Sequence, residues 1–249
     1  MRVLEERFRP GSVLDRKGSE DTMKAMQTEI AEAAVFEDAI ELSPESIRQG
    51  ETVVAGVDQA FPGDRAVSAV VALRGGDVIE RVSAVRPQSM PYVPGLLAFR
   101  EGPPVFAALE SLDVEPDLLV FDGSGRIHYR EAGIATHAGV CFDTPSIGVA
   151  KSLLCGRPTE PTDELSAGET VPIEADGSMS APDGTVVGYA YQSRQFPDSK
   201  RINPLYVSPG HRLSAETTLE CLSACGGEYK LPRPVRLADR YADELKADR

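Results

Sequence analysis

The chain has 249 residues, 41% of them hydrophobic, enough for a sizeable core, and it holds no run of 18 apolar residues and no apolar leader, so a soluble, cytoplasmic protein is expected. A formal net charge of -13 argues against diffuse attraction to phosphate, yet of 26 basic residues only Lys17, Lys24, Lys151, Lys200, Lys230 and Lys246 are lysines, leaving 20 arginines. An acid-rich, Lys-poor, Trp-free chain is what adaptation to a salty cytoplasm produces. At about 1 M salt the screening length shrinks to roughly 3 Å and local chemistry decides binding, so nucleic acid is not excluded as a partner.

Residues 1–22 are polar and charged and read as a poorly ordered extension, with Met23 or Met26 as alternative starts; residues 23–249 read as a single catalytic domain. From Met23 to Ile40 the apolar positions Met26, Ile30, Ala33, Ala34 and Ala39 fit an amphipathic helix. Three strand-like runs follow, Thr52–Phe61, Ala66–Leu73 and Val78–Val85. Gly63-Asp64 and Gly75-Gly76-Asp77 break them into antiparallel hairpins. A helix with Phe106, Leu109 and Leu112 comes next, then the buried strand DLLVFD, a helix over Gly133–Cys141 and a strand at Ser146–Val149. Residues 158–185 carry Glu160, Asp163, Glu164, Glu169, Glu174, Asp176 and Asp183 and no basic residue, the pattern of a solvated acidic excursion. Strands return at Thr185–Gln192 and Leu205–Ser208, and helices at Ser214–Cys225 and Leu237–Lys246. Hairpin-linked strands followed by alternating helix and strand give an α/β fold, a mixed central sheet flanked by helices. Cys141, Cys155, Cys221 and Cys225 lack zinc-site spacing and read as buried free thiols.

The apolar run VVAGV ends in a bare carboxylate, Asp58, and LLVF ends the same way in Asp122. If the two strands are neighbours, the acids lie a few ångströms apart and raise each other's pKa unless a cation sits between them. Mg²⁺ prefers such oxygens and keeps waters for a phosphate to replace. Glu101, in FREGPP, is a third candidate, with a helix-cap or turn role as its alternative.

In order, GVDQAF, MPYVPGLLAFREGP, DLLVFDGSGRIHYREAGIATHAGV, PSIGVAKSLLCG, NPLYVSPGHR and LPRPVRLAD resemble the endonuclease V family, over about Thr52 to Asp239 apart from the acidic excursion. The resemblance implies a ribonuclease H-like fold and Mg²⁺, or Mn²⁺ in its place. It also implies cleavage of DNA at the second phosphodiester bond 3′ to deoxyinosine, the start of repair of deaminated adenine; some members act on inosine-containing RNA. Block by block, Asp58, Asp122 and Glu101 match the metal-holding acids, His211 the histidine near that centre, and Lys151 the active-site lysine. A lysine ending an apolar strand suits a point charge set against a scissile phosphate.

Pro91 and Pro94 stiffen the loop Met90-Pro91-Tyr92-Val93-Pro94-Gly95. A stiff loop carrying one aromatic is what a base-extruding wedge needs, and in the resembled family Tyr92 stands at its tip. Gly123 and Gly125 let backbone approach a base, and His128 and Ile134 are expected to close a hypoxanthine pocket, with His137 as core packing. A pocket that pairs O6 and N1–H leaves adenine's amino group unsatisfied, worth about 1–3 kcal/mol of discrimination. Three departures from the family pattern bear on base specificity and affinity: Tyr129 where proline is usual, the small Ser124, and the long acidic excursion. The resulting reading is a monomeric, metal-dependent deoxyinosine 3′ endonuclease. The alternatives are an inosine-specific ribonuclease, a structure-specific nuclease of the same fold, and a non-catalytic nucleic-acid binding module. A pure binder gains nothing from clustered acids that repel phosphate. A Rossmann enzyme is disfavoured because Gly123-x-Gly125 lacks the third glycine.

Overall fold

The computed structural model describes residues 1–15, 19–39, 42–88, 90–195 and 202–247. The described strands form one nine-stranded sheet in the order β3-β2-β1-β4-β5-β9-β8-β7-β6. Strands β1 (Val53–Ala60), β2 (Arg65–Arg74) and β3 (Asp77–Pro87) make the expected antiparallel meander. Strand β4 (Leu118–Asp122) then pairs parallel with β1, and β5 (Ser146–Ala150) parallel with β4. Strand β9 (Leu205–His211) closes antiparallel on β5. Parallel strands covered on both faces read as continuous apolar runs, which is why these are visible in the sequence.

Alternate residues of the central strands enter two cores. Val53, Ala55, Val57, Leu119 and Phe121 pack beneath α2 (Glu20–Ala33), α4 (Leu97–Glu110) and α5 (Ile134–Phe142). Val54, Leu118, Val120, Ile147 and Val149 face α3 (Pro44–Gln49), α6 (Ala215–Ala224) and α7 (Arg233–Ala247). Helix α2 is shorter than the Met23–Ile40 pattern predicts. It starts at the Ser19 cap, whose side chain accepts from the Thr22 amide, and the chain turns extended at Ala34; Ile40 lies outside the described residues.

Two other expectations change. Residues 1–15, expected to be poorly ordered, contain a 3-10 turn at Glu6–Phe8 and the helix α1 (Pro10–Asp15). The physical reason is three apolar anchors among the charges: Val3 and Phe8 are buried, and Pro10 abuts Gly102 of α4. The fully buried His137, expected as core packing, fixes this segment by a 2.6 Å hydrogen bond between its Nε2 and the Phe8 carbonyl, with its ring edge-on to Phe99 and Phe106.

The acidic excursion is part of the sheet. Strands β6 (Arg157–Pro158), β7 (Thr170–Glu174) and β8 (Val186–Tyr191) extend it beyond β9. In Thr170–Glu174 only Val171 and Ile173 point inward, and they join Cys155, Leu165 and Val187 in a third core. The acids occupy the solvent side of that alternation, so a strand is hidden by its own outer face. The four cysteines are free thiols. No described helix is long and apolar enough to cross a membrane.

Phe8→Ala is expected to destabilise the protein by about 3–5 kcal/mol, the usual cost of truncating a fully buried aromatic. Urea unfolding measures it; a change within about 0.5 kcal/mol, that of a surface site, would return residues 1–15 to the status of a loose extension.

Candidate metal centre and base pocket

Pairing of Val57 with Phe121 in parallel register sets Asp58 and Asp122 side by side as the strands leave the sheet. Both carboxylates keep the parity of Val54 and Leu118, so they face α7. Gly56 lets α7 come down: a Cβ there would overlap the Pro234 carbonyl. From Pro234 to Asp239 the helix advances about 7.5 Å, and from Gly56 to Asp58 the strand advances about 6.6 Å, so the third acid arrives level with the first. Asp58, Asp122 and Asp239 each offer an oxygen within 4.8 Å of the others.

Sequence reasoning misses Asp239. The charge pattern predicts a surface helix starting at Leu237, whereas α7 starts at Arg233 and buries Pro234, Val235, Ala238 and Ala242. The signal is present in LPRPVRLAD, whose apolar face needs the sheet and carries one acid with it.

The cluster is electrostatically uncomfortable by itself. Burial, which leaves Asp58 only 7% exposed, and then the Asp122 charge hold the Asp58 carboxyl well above the usual range. Glu101, on α4 and 6% exposed, lies outside the three-acid group but close enough to feel Asp122; chiefly burial pushes its pKa up to about 7. Lys151, just past β5, bonds Asp122 at 2.5 Å. Burial opposes that ammonium, but the Asp122 bond and charge outweigh it and keep it protonated. Three hard oxygen donors with one ammonium between them leave negative charge uncompensated, so the donor set fits a divalent cation such as Mg²⁺.

His211 is not brought to this centre. It pairs with Ser146 at the opposite end of β5 from Lys151, about 10 Å along the strand and about 10 Å across from Asp122. Its Nδ1 accepts from the Val35 amide at 3.2 Å and its Nε2 meets Asp143 at 3.2 Å, so it ties the segment after α2 to the end of β9.

Several of the residues expected in a base pocket meet at a cavity on the α5 side of the sheet ends. Tyr92, Gly95, Ser124, His128, Ile134 and Leu154 line a cavity of about 60 Å³. Gly123 and Gly125 are not in its lining, but they allow the loop to cross there: Gly125 abuts the Pro209 carbonyl, and Gly148 opposite leaves room for the Gly125 amide. Tyr92 is 62% exposed, with the Arg100 guanidinium 5.9 Å from its ring centre. Pro91 and Pro94 are exposed beside it and Val93 half-buried.

The Met90–Gly95 loop, the candidate wedge, is pinned at one atom. The Gly95 carbonyl accepts from Gln27 at 2.9 Å and Arg130 at 3.2 Å and bonds His128 Nε2 at 3.0 Å. The Arg130 amide donates to His128 Nδ1, so that ring is neutral with its proton on Nε2, in keeping with a pKa that burial and Arg130 push down to about 4. Gln27, fully buried on α2, is not foreseeable from the sequence; its only trace there is a polar residue on the apolar face of a helix. Tyr129, in place of the usual proline, accepts the Ser180 amide at its carbonyl and so joins the acidic extension to the pocket loop.

A sheet of this topology ending in clustered carboxylates defines a ribonuclease H-like nuclease. A family model described as Endonuclease V matches residues 35–240. The Endonuclease V of the halophilic archaeon Natronomonas pharaonis is 65% identical over 247 residues, covering 99% of this chain and 98% of that one. Among solved structures, the Endonuclease_V of Bacillus subtilis superposes with a TM-score of 0.78 at 30% identity, covering 92% and 93%. Endonuclease V of Ciona intestinalis, in complex with a 24mer DNA containing an inosine followed by a ribo-adenosine, gives 0.72 at 26%, covering 91% and 97%. The chain belongs to the endonuclease V family.

Buried acids with raised pKa bind protons more tightly folded than unfolded, so the contribution of Asp58 and Glu101 to metal-free stability is full at low pH and is lost as pH rises. For Glu101 the window runs from its ordinary value of 4.5 to about 7. His128 and His137, depressed to about 4, oppose this trend over the same window, so the difference between variants carries the test: in EDTA the Tm gain of Asp58→Asn over the wild type is expected to grow with pH, and Mg²⁺ to raise the wild-type Tm most at the alkaline end. A metal-free Tm indifferent to Asp58→Asn and to Mg²⁺ contradicts the cluster as a cation site.

Proposed function

We propose that this protein is a divalent-metal-dependent endonuclease that recognises deoxyinosine in DNA and hydrolyses the second phosphodiester bond on its 3′ side. The observation that carries the reading is the trio Asp58, Asp122 and Asp239 within 4.8 Å, beside the Tyr92–His128–Ile134 pocket, in an endonuclease V chain. The inosine-containing DNA held by the Ciona relative supports the substrate.

In this mechanism Asp58, Asp122 and Asp239, with Glu101 beside them, would hold Mg²⁺ or Mn²⁺. Such an ion, when bound, polarises a phosphoryl oxygen and makes water a better nucleophile. Lys151 sets a fixed positive charge against the scissile phosphate, oriented by Asp122. Tyr92 fills the place of the extruded base, and the rigid Gly95 anchor keeps it from yielding. Gly123-Ser124-Gly125 and the neutral His128 shape the pocket from backbone groups and an uncharged ring, which suits a neutral purine edge. A protein of this kind works as a soluble monomer in the cytoplasm.

The test is cleavage, with Mg²⁺ or Mn²⁺, of matched strands carrying deoxyinosine, ribo-inosine or deoxyadenosine, with the cut position mapped. Deoxyinosine strands should be cut two bonds 3′ of the lesion, and Asp122→Ala should abolish this with the fold intact. Preferential cutting of ribo-inosine strands would move the assignment to an inosine ribonuclease. Tyr92→Ala should weaken binding about ten-fold or more in a duplex and less in a single strand, since stacking on an aromatic is worth about 1–3 kcal/mol and only the duplex must be opened. Equal losses on both would remove the wedge role.

A further inference from the structure

We propose that a groove running from Lys151 along the start of α7 to Arg194 binds phosphates of the strand beyond the scissile bond, with Lys230 and Arg236 as its contacts; this rests on the endonuclease reading. Lys151, Tyr229, Lys230, Leu231 and Arg236 line a cavity of about 400 Å³. A second cavity, of about 370 Å³, shares Tyr229 and Lys230 and continues past Ser193 to Arg194. Because Lys151 is bonded to Asp122, the groove opens directly from the carboxylate cluster.

Its charge is out of keeping with the chain. In a protein of 39 acidic residues and net charge -13, two of the six lysines converge here with two arginines. Elsewhere Arg7, Arg9, Arg48, Arg81, Arg126, Arg157 and Arg212 each find a carboxylate. Among the described residues no carboxylate lies within ion-pair distance of Lys230, Arg236 or Arg194. Partial burial, and then the Lys151 charge, depress the Lys230 pKa, so the two ammonium groups repel across the groove. The Arg236 guanidinium lies 3.2 Å over the Tyr229 ring, which orients the fork and leaves its N–H edge for an acceptor. Lys230, Arg236 and Arg194, converging on an apolar floor without an anion of their own beside the Asp122-bound Lys151, make a phosphate site.

Geometry sets which phosphates. The base pocket lies on the α5 side of the sheet ends and the groove on the α7 side, with the carboxylates between them. A strand whose damaged base fills the pocket and whose cut falls 3′ to it must leave through the groove with its 3′ portion.

The experiment compares Lys230→Gln alone and the Lys230→Gln/Arg236→Gln pair with the wild type, using deoxyinosine strands that end two or ten nucleotides beyond the cut. The KM of the double variant should rise about ten-fold on the long strand and less than about two-fold on the short one, and that of Lys230→Gln should rise by a smaller factor with the same length dependence. Equal changes on both strands, or none, overturn the groove. Binding of an undamaged single strand in EDTA, followed against KCl, gives a readout independent of cleavage. On a single strand each neutralised phosphate contributes about 0.7 to the salt slope, so a double variant that leaves two phosphates without their cations should bind with a slope lower by about 1.4. An unchanged slope overturns the groove even if deoxyinosine is cut; a reduced slope in a protein that does not cut deoxyinosine overturns the endonuclease reading and leaves the groove standing.

Discussion

The parallel pairing of β1 with β4 is the constraint on which the rest depends. It places two carboxylates at adjacent strand ends on the same face, where desolvation and mutual repulsion both disfavour their charged forms. Local offsets are partial: a backbone hydrogen bond from Gln59 to Asp58 and the Lys151 ammonium beside Asp122. The remaining offset comes from cross-strand hydrogen bonding and two apolar cores that clamp the strands whether or not the acids are content. Stability generated by Val57, Phe121 and their neighbours thus maintains a concentration of negative charge that no isolated loop could keep.

Once the pair is fixed, the other parts take positions relative to it by backbone contact more than by side-chain choice. Gly56 admits α7 to van der Waals distance of β1, and that approach delivers Asp239. Gly148 admits the Gly123–Gly125 loop over β5, and that crossing frames the pocket. The wedge is held by the Gly95 carbonyl, where Gln27, His128 and Arg130 converge from separate parts of the chain. A carbonyl has two lone pairs in a plane, so three partners on one oxygen fix the loop in orientation as well as position. Rigidity there is what the proposed wedge role requires, since a loop that pushes a base aside must not itself be pushed.

What can be read from the chain follows from range. The strands are legible because burial on both faces leaves unbroken β-branched runs, and Asp58 and Asp122 are legible because a charge interrupts those runs. Asp239 is not, because its role depends on a helix docking whose signal is a glycine far earlier in the chain, Gly56. His211 is misplaced for the converse reason: a motif match fixes its place on β9 but not which end of the sheet that place occupies, and antiparallel pairing with β5 puts it at the far end. The N-terminal segment and β7 are lost to composition, since a few buried residues, Phe8 in one and Val171 and Ile173 in the other, are outvoted by charges on the outer side.

The acidity that sits least easily with a nucleic-acid enzyme becomes intelligible through screening. Charges at the surface act through solvent, and in concentrated salt their reach falls to about 3 Å, so a net charge of -13 repels a strand little beyond contact. The buried Asp58, the half-buried Asp122 and Asp239, and the Lys151–Asp122 bond act at contact distance, inside the screening length, and keep most of their strength. A halophilic relative at 65% identity is consistent with selection under those conditions. In such a setting a diffuse basic surface contributes almost nothing, because each phosphate contact made through counterion release weakens steeply with salt. What survives is contact chemistry at few points: carboxylates arranged for a metal, a neutral pocket, a stiff aromatic. The acidic extension of the sheet, through the Ser180–Tyr129 bond, lends its own core to the loop that carries His128.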